Sequence, residues 1–290
     1  MRIKHYQRLQ KIILFVFVII SVIFLISHLS SVYINNNVRY YPDYDQLDLI
    51  PILEKNELSN DDYKTLFYQT GLGPSAIDEI RSRTNYDHTM ITSYQDDFFY
   101  PMPFAPFRSG VITPLYSVNE KGQRSYGFEF APYHNGYVFV TDSTHTLGFR
   151  HGHSAVITDS ERGESIEALT LGETSSLVSV TSWRYRPTFI MLKLKNTNQE
   201  TLDEIAQYAI DELLDIPYDL TVGFLSPKNP PLEKIKGTHC SHLVWYLFMQ
   251  FGYDVDADGG WLVTPRDIMY SDMFEVVQIY GLNPDDFWSD

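Results

Sequence analysis

From Ile12 to Ile26 every position is apolar except Ser21, and a weaker tail from Ser27 to Ile34 extends the run to 23 residues. A bilayer core takes about 20 residues of helix. Arg2, Lys4, Arg8 and Lys11 precede the run, and no further cation occurs until Arg39. Positive charge collects on the cytoplasmic side of a span. The pattern predicts a single-pass anchor in the cell membrane over residues 12–34, with the N-terminus cytoplasmic and the rest of the chain extracellular. A cleaved signal peptide is the rival reading, but Ser27 to Ser31 offers no clean A-x-A site.

Residues 35–58 begin polar and suggest a linker running into a short helix around Leu47–Glu57. Ser59 with Asp62 three residues later is a capping pattern. The stripe Tyr63, Leu66, Phe67 follows it, and Gly71 is a stop signal. Gly73-Pro74 opens another helix, with Ile77 and Ile80 on one face. Between Phe98 and Phe107, aromatic residues interleave with Pro101, Pro103 and Pro106, which excludes a regular helix. An extended belt over the core, or an apolar wall of a groove, is expected there. Tyr126, Phe128 and Phe130 alternate as a strand or extended arm would.

From Gly136 the spacing becomes that of a sheet. Strands are expected at Tyr137–Val140, His153–Thr158, Ser165–Leu169, Val178–Thr181, Phe189–Leu194 and Met273–Ile279, with a turn at Asp159–Gly163. Thr201 with Glu204 reads as a capping box before a helix that covers the sheet and runs to Asp215. Tyr218 to Lys236 is a loop. It leads to a helix whose stripe is Leu243, Val244, Leu247, Phe248 and Phe251. The expected class is α+β. The expected division is an anchor at 1–34, a linker, helical and aromatic segment at 35–130, and a main domain at 131–290.

Composition narrows the partners. The 290 residues carry a formal charge of −15, so no basic stripe is available for nucleic acid. A single cysteine, Cys240, excludes an internal disulfide.

Gly237 and Thr238 place Cys240 in the first turn of its helix, where free N–H groups and the dipole favour a thiolate. A thiol nucleophile needs a base and a group that orients the base. With a turn centred on Ser160, His153 pairs across from Glu167, and cross-strand partners share a face. A one-residue slip would separate them. A glutamate within an apolar strand is costly to bury unless paired. His151 is a competing base. His239 lies too close in the chain to reach round, and His242 sits nearly half a turn away. Zinc at His151, His153, Cys240 and either His239 or His242 is a weak reading, with no second Cys and no H-E-x-x-H. Asp254, Asp256 and Asp258 alternate as calcium ligands do, but the twelfth loop position holds no glutamate. No metal and no cofactor are expected.

The order Gly152-His153, Glu167-Ala168, Cys240-Ser241 resembles the circularly permuted, papain-like cysteine hydrolases of the NlpC superfamily, in its YiiX-like branch. Gly136, Trp183, Pro217-Tyr218-Asp219 and Thr264-Pro265 agree with that resemblance, and Tyr137 departs from it. It covers roughly residues 133–280 and leaves 35–130 unexplained. The resemblance implies a permuted papain-like (NlpC-type) antiparallel sheet packed with helices. It implies that Cys240 is a catalytic nucleophile, His153 its base and Glu167 the orienting group, with Tyr218 a donor to the oxyanion. A thiol-dependent hydrolase of an amide bond, peptide or isopeptide, is therefore expected. The substrate would be a cell-wall peptide or a lipid-linked amide. A lipid or acyl amidase, thioesterase or acyltransferase with the same triad is the alternative. A non-catalytic, membrane-tethered binding module is a third reading.

Overall fold

The computed structural model describes residues 2–107, 112–146, 148–228 and 235–288. Residues 108–111, which follow the aromatic region, Leu147 and residues 229–234 of the Tyr218–Lys236 loop lie outside the described residues. Helix α1 (Arg2–Asn37) contains the apolar run, and within it Gln10–Asn37 is long and apolar enough to cross a membrane, with its apolar window unburied by the rest of the chain.

Four short helices follow: α2 (Ile50–Leu53), α3 (Asn60–Thr70), α4 (Pro74–Arg81) and α5 (Thr89–Phe99). Ser59 caps α3 through the reciprocal bonds of a capping box with Asp62, and Gly71 ends it at φ 73°. Helix α5 was not legible in the sequence. It occupies the start of the expected extended belt, because the prolines begin only at Pro101, after the helix has ended. The belt itself then gives β1 (Phe104–Pro106), paired with β2 (Ile112–Ser117). Residues 125–134 form an extended arm rather than a strand. On it Phe128 stacks on Tyr280, and Phe130 packs on Phe139.

The main sheet is antiparallel. It holds β3 (Val138–Thr141), β6 (His153–Asp159), β7 (Glu164–Glu167), β8 (Ser176–Ser179), β9 (Phe189–Leu194) and β10 (Phe274–Tyr280), in the order β10-β9-β3-β6-β7-β8. A smaller sheet joins β1 and β2 to β4 (Thr144–Thr146) and β5 (Phe149–Arg150), which lie in a stretch where no strand was expected. The larger sheet is covered by α6 (Gln199–Glu212) and α7 (Cys240–Gln250), both packed on β6, and α8 (Pro265–Met269) packs on β3. Helix α6 starts earlier than the Thr201 capping box implied, because Asn198 takes the cap and accepts from Thr201 N–H. One apolar core runs through both parts of the chain, joining Leu66, Phe67 and Ile77 to Val138, Phe139, Leu192 and Phe248. The chain is thus an α+β protein of antiparallel sheets packed with helices, preceded by one candidate spanning helix.

Gly152 sets the start of β6. Its φ is +84°, and a Cβ there would lie 2.1 Å from the Thr141 carbonyl oxygen. Gly172 has a similar φ of +88° but open space around it. Gly172→Ala should therefore destabilise by about 1–3 kcal/mol from backbone strain alone. Gly152→Ala should cost clearly more, because backbone must also move. Urea unfolding of both variants in detergent checks the difference, and equal losses would show that the close approach carries no cost.

Candidate functional site

His153 begins β6 and Glu167 ends β7. The register observed is Val156 opposite Ile166 and Ile157 opposite Ser165, with a bulge before Asp159. Continued, it sets Ala155 opposite Glu167, and His153 one diagonal away. The pairing predicted from the sequence is thus displaced by two residues. A shift of two keeps both side chains on one face, and diagonal neighbours remain within reach of long side chains. His153 Nε2 lies 2.7 Å from Glu167 Oε2. The other oxygen of Glu167 accepts from Trp183 Nε1 at 2.8 Å and from Ser165 Oγ at 3.0 Å. The Trp183 ring lies nearly parallel to the His153 ring, 5.4 Å away. Ser165 had a readable signal, since it lies two residues before Glu167 on the same face.

Cys240 opens α7, and His239 is the N-cap, accepting from His242 N–H. His153 and His239 lie close enough to the thiol for both to lower it. With Nε2 of His153 engaged by Glu167, Nδ1 is the ring nitrogen left for the thiol. His239 thus reaches the thiol, contrary to the expectation from chain proximity. The extended N-cap backbone turns its ring back over the helix start. His242 faces elsewhere, bonded to Thr238 Oγ1 and to the Lys228 carbonyl, and burial pushes it down to about 4. His151 bonds to Thr146 Oγ1 and the Gly152 carbonyl, and burial lowers it as well. Tyr218, His151, Gly152, His153 and Cys240 line one cavity of about 210 Å³, with Phe107, Ile112, Tyr116 and Leu169 among its other walls.

Burial opposes charge on all three central groups, and their mutual bonds outweigh it. Burial disfavours the His153 imidazolium, but its bonds to Cys240 and Glu167 raise it to about 9. Burial raises the Cys240 thiol, but the bonds from His153 and His239 bring it well below its ordinary value. Burial also raises Glu167, and its bonds from His153, Trp183 and Ser165 lower it on balance. Tyr218 is pushed up by burial and by Cys240, so it stays a phenol. The pair is therefore a thiolate facing an imidazolium. Between pH 6.5 and about 8.5 the native pair holds one proton on His153, and the unfolded pair holds one on the cysteine. Proton counts match there, so the pair contributes no slope to stability in that window. Below 6.5 the unfolded histidine takes up a further proton before the native pair does, and stability falls with acid.

A second centre lies on the segment after α7. Asp256, Asp258 and Asp267 each offer a carboxylate oxygen, and the three atoms lie within 4.8 Å of one another. Asp256 is 8% exposed, and its Oδ1 is buried without a hydrogen-bond partner. Its Oδ2 accepts from Lys228 Nζ, which also donates to the Gly260 carbonyl. Burial raises the Asp256 carboxyl, Lys228 lowers it, and the charges of Asp267 and Asp258 add to the rise. Asp254, grouped with them by its spacing, instead accepts from Trp245 Nε1 at 2.8 Å. Asp267 carried no sequence signal as a ligand, because it stands in a Thr264 capping box that accounts for it fully. Gly223, Phe224, Leu225, Trp245, Gly260 and Trp261 line an adjoining cavity of about 650 Å³.

A scan against protein-family models finds no match, and a search of curated proteins finds none. A search of solved structures finds the metalloprotein yiiX of Escherichia coli O157:H7, at 12% identity and a TM-score of 0.39. The match covers 50% of this chain and 96% of that one. The likeness is weak, partial and one of fold.

These findings correct the expectation of a thiol-dependent amide hydrolase. That expectation placed all the chemistry on Cys240 and set cations aside. The described residues carry a convergent cluster of carboxylates with an unpaired buried oxygen, and the lone cysteine is buried at 7% exposure. The descriptions cysteine peptidase-like, NlpC hydrolase, amidase, thioesterase and acyltransferase are accordingly dropped. The adjacency of Cys240, His153 and Glu167 stands as geometry, with no reaction assigned to it.

Alkylation of Cys240 by iodoacetamide should proceed at pH 6, well below the value of about 8.5 for a free thiol. His153→Ala should move the onset upward by more than one pH unit. Glu167→Gln should move it upward by less. Identical profiles for the three proteins would show that the thiol is not ionised by its neighbours.

Proposed function

We propose that the chain is a membrane-tethered domain that binds a divalent cation through Asp256, Asp258 and Asp267. The observation that carries this reading is the Asp256 Oδ1 atom, buried without a partner beside two further carboxylates. A buried acceptor without a donor is costly, and a cation relieves the cost. Charge agrees. Three carboxylates beside one ammonium, Lys228, leave two negative charges for a dication to balance. All-oxygen ligation suits the hard ions calcium, magnesium and manganese rather than zinc. The flanking loops support such a role, since Gly259, at φ +64°, and Gly260 let the chain turn tightly beside Asp258.

The remaining parts of the reading follow from the sequence order and from placement. We read the sheet with α6 and α7 as a permuted papain-like arrangement of the NlpC type, supported by the strand carrying His153 preceding the helix that carries Cys240. The division into an anchor at 1–34, an accessory segment at 35–130 and a main domain at 131–290 belongs to the same reading. So does the orientation, with the four cations before Ile12 cytoplasmic and the domain in the cell envelope. Cys240, His153, Glu167 and Tyr218 form a second site, a thiolate-bearing cavity whose ligand is an envelope peptide or a lipid-linked group.

Isothermal titration of the full chain with calcium, magnesium, manganese and zinc tests the cation site. One hard cation should bind per chain, and Asp256→Asn should weaken it at least tenfold. Because Asp256 is raised, protons compete with the cation, so affinity should fall as pH is lowered. Zinc binding that is lost in Cys240→Ser and kept in Asp256→Asn would move the metal to the thiolate cavity and contradict the proposal.

A further inference from the structure

Helix α1 does not leave the domain at once. Its polar end is fastened to it: Asn35 Oδ1 lies 3.1 Å from His145 Nε2, and Arg150 donates to the Val38 carbonyl. Arg39, buried just beyond the helix, donates to the Tyr100 carbonyl at 3.0 Å and lies 4.2 Å from the centre of the Tyr280 ring. Gly148, just before β5, rests on α1 further down. A Cβ on Gly148 would lie 2.6 Å from the Ser27 carbonyl oxygen and 3.0 Å from Ser31 N. Only a glycine, here at φ +80°, permits that approach.

The depth of this contact follows from counting along the helix. Lys11 marks the inner boundary, and the apolar run starts at Ile12. A hydrocarbon core of about 20 helical residues then extends to about residue 31. Gly148, packed on Ser27 to Ser31, is thus level with the outer edge of the core. Phe149, the next residue, is 73% exposed, which is unusual for a large aromatic side chain on a short strand. His151, Gly152 and His153 follow directly and line the cavity with Cys240. Phe107 and Leu169, on the same cavity, are also exposed.

We propose that Phe149, beside Gly148, seats in the outer headgroup layer of the bilayer that α1 crosses, and that this holds the mouth of the Cys240 cavity at the membrane surface. The occupant of this face is lipid. Exposed Phe side chains favour burial at the headgroup boundary, and Gly148 beside Phe149 packs on α1 at that level. The inference rests on α1 spanning the membrane and is independent of the cation site.

The test uses the full chain, one copy per lipid nanodisc, in a Cys240→Ser background. An environment-sensitive NBD label is placed at Phe149→Cys or, as a control, at Glu161→Cys, in the exposed β6–β7 turn at the far end of β6. The label at 149 should emit to the blue of the label at 161. Lipids carrying a shallow doxyl group should quench it at least threefold more strongly. Gly148→Leu, which pushes residue 148 off α1, should reduce that quenching. A water-like, unquenched label at 149 in a chain that stays in the disc would overturn the proposal. So would shielding that appears only when discs hold two copies, because the cover would then be protein. Loss of the chain from discs at high salt would instead contradict the span itself.

Discussion

Glu167 is a carboxylate held in a core at 2% exposure, and such a charge persists only where donors surround it. Three donors do so: His153, Trp183 and Ser165. Each comes from a different place in the chain, so the requirement fixes several elements together. It holds β6 and β7 in a register that keeps His153 and Ser165 on the face of Glu167. It pins the short 3-10 helix Val180–Tyr185 so that Trp183 lies over the His153 ring. Removal of any one donor leaves a buried charge short of partners, which costs more than the bond itself. The charge on His153 in turn stabilises the Cys240 thiolate at the start of α7, so the helix docks by electrostatics as well as by its apolar stripe.

Helix α7 also links the two centres. Its first turn holds Cys240, capped by His239 and tied to the α8 side through Ser241 Oγ and the Val263 carbonyl. In the same turn His242 bonds to the Lys228 carbonyl, and further along Trp245 donates to Asp254. The Lys228 ammonium sits 5.0 Å from the centre of the Trp245 ring and pairs with Asp256. A cation at the three carboxylates would compete with Lys228 for Asp256. Any shift of Lys228 would be felt at His242, two residues from the thiolate. The two sites are therefore close in connection, although their chemistries differ: a soft anion with imidazoles on one side, hard oxygen ligands on the other.

Much of this arrangement was readable along the chain. The apolar run before Arg39, the Ser59 cap, the Gly71 stop and strand Phe189–Leu194 each depend on local sequence and were placed closely. The shared face of His153 and Glu167 was readable because strand periodicity is two, and an error of two in register left it intact. What failed depended on distant contacts. Helix α5 has a weak pattern of its own and is held by α3 and α4. Strands β4 and β5 are too short to announce themselves and exist through pairing, β4 with β2 and β5 with β4. The carboxylate cluster was not legible as a unit, because Asp267 comes from α8, outside the Asp254–Asp258 loop, and Asp254 turns away to Trp245. His239 was discounted from chain proximity, yet a non-helical N-cap residue is free to fold its ring onto the next side chain.

The most direct measurement is a crystal structure of the domain soaked in manganese, with anomalous scattering recorded. The account predicts a peak about 2.0–2.6 Å from carboxylate oxygens of Asp256, Asp258 and Asp267, with Lys228 displaced from Asp256 and no peak at Cys240. A peak between Cys240 and His153, or none at the three aspartates while Asp256 Oδ1 bonds to an ordered water, would contradict it.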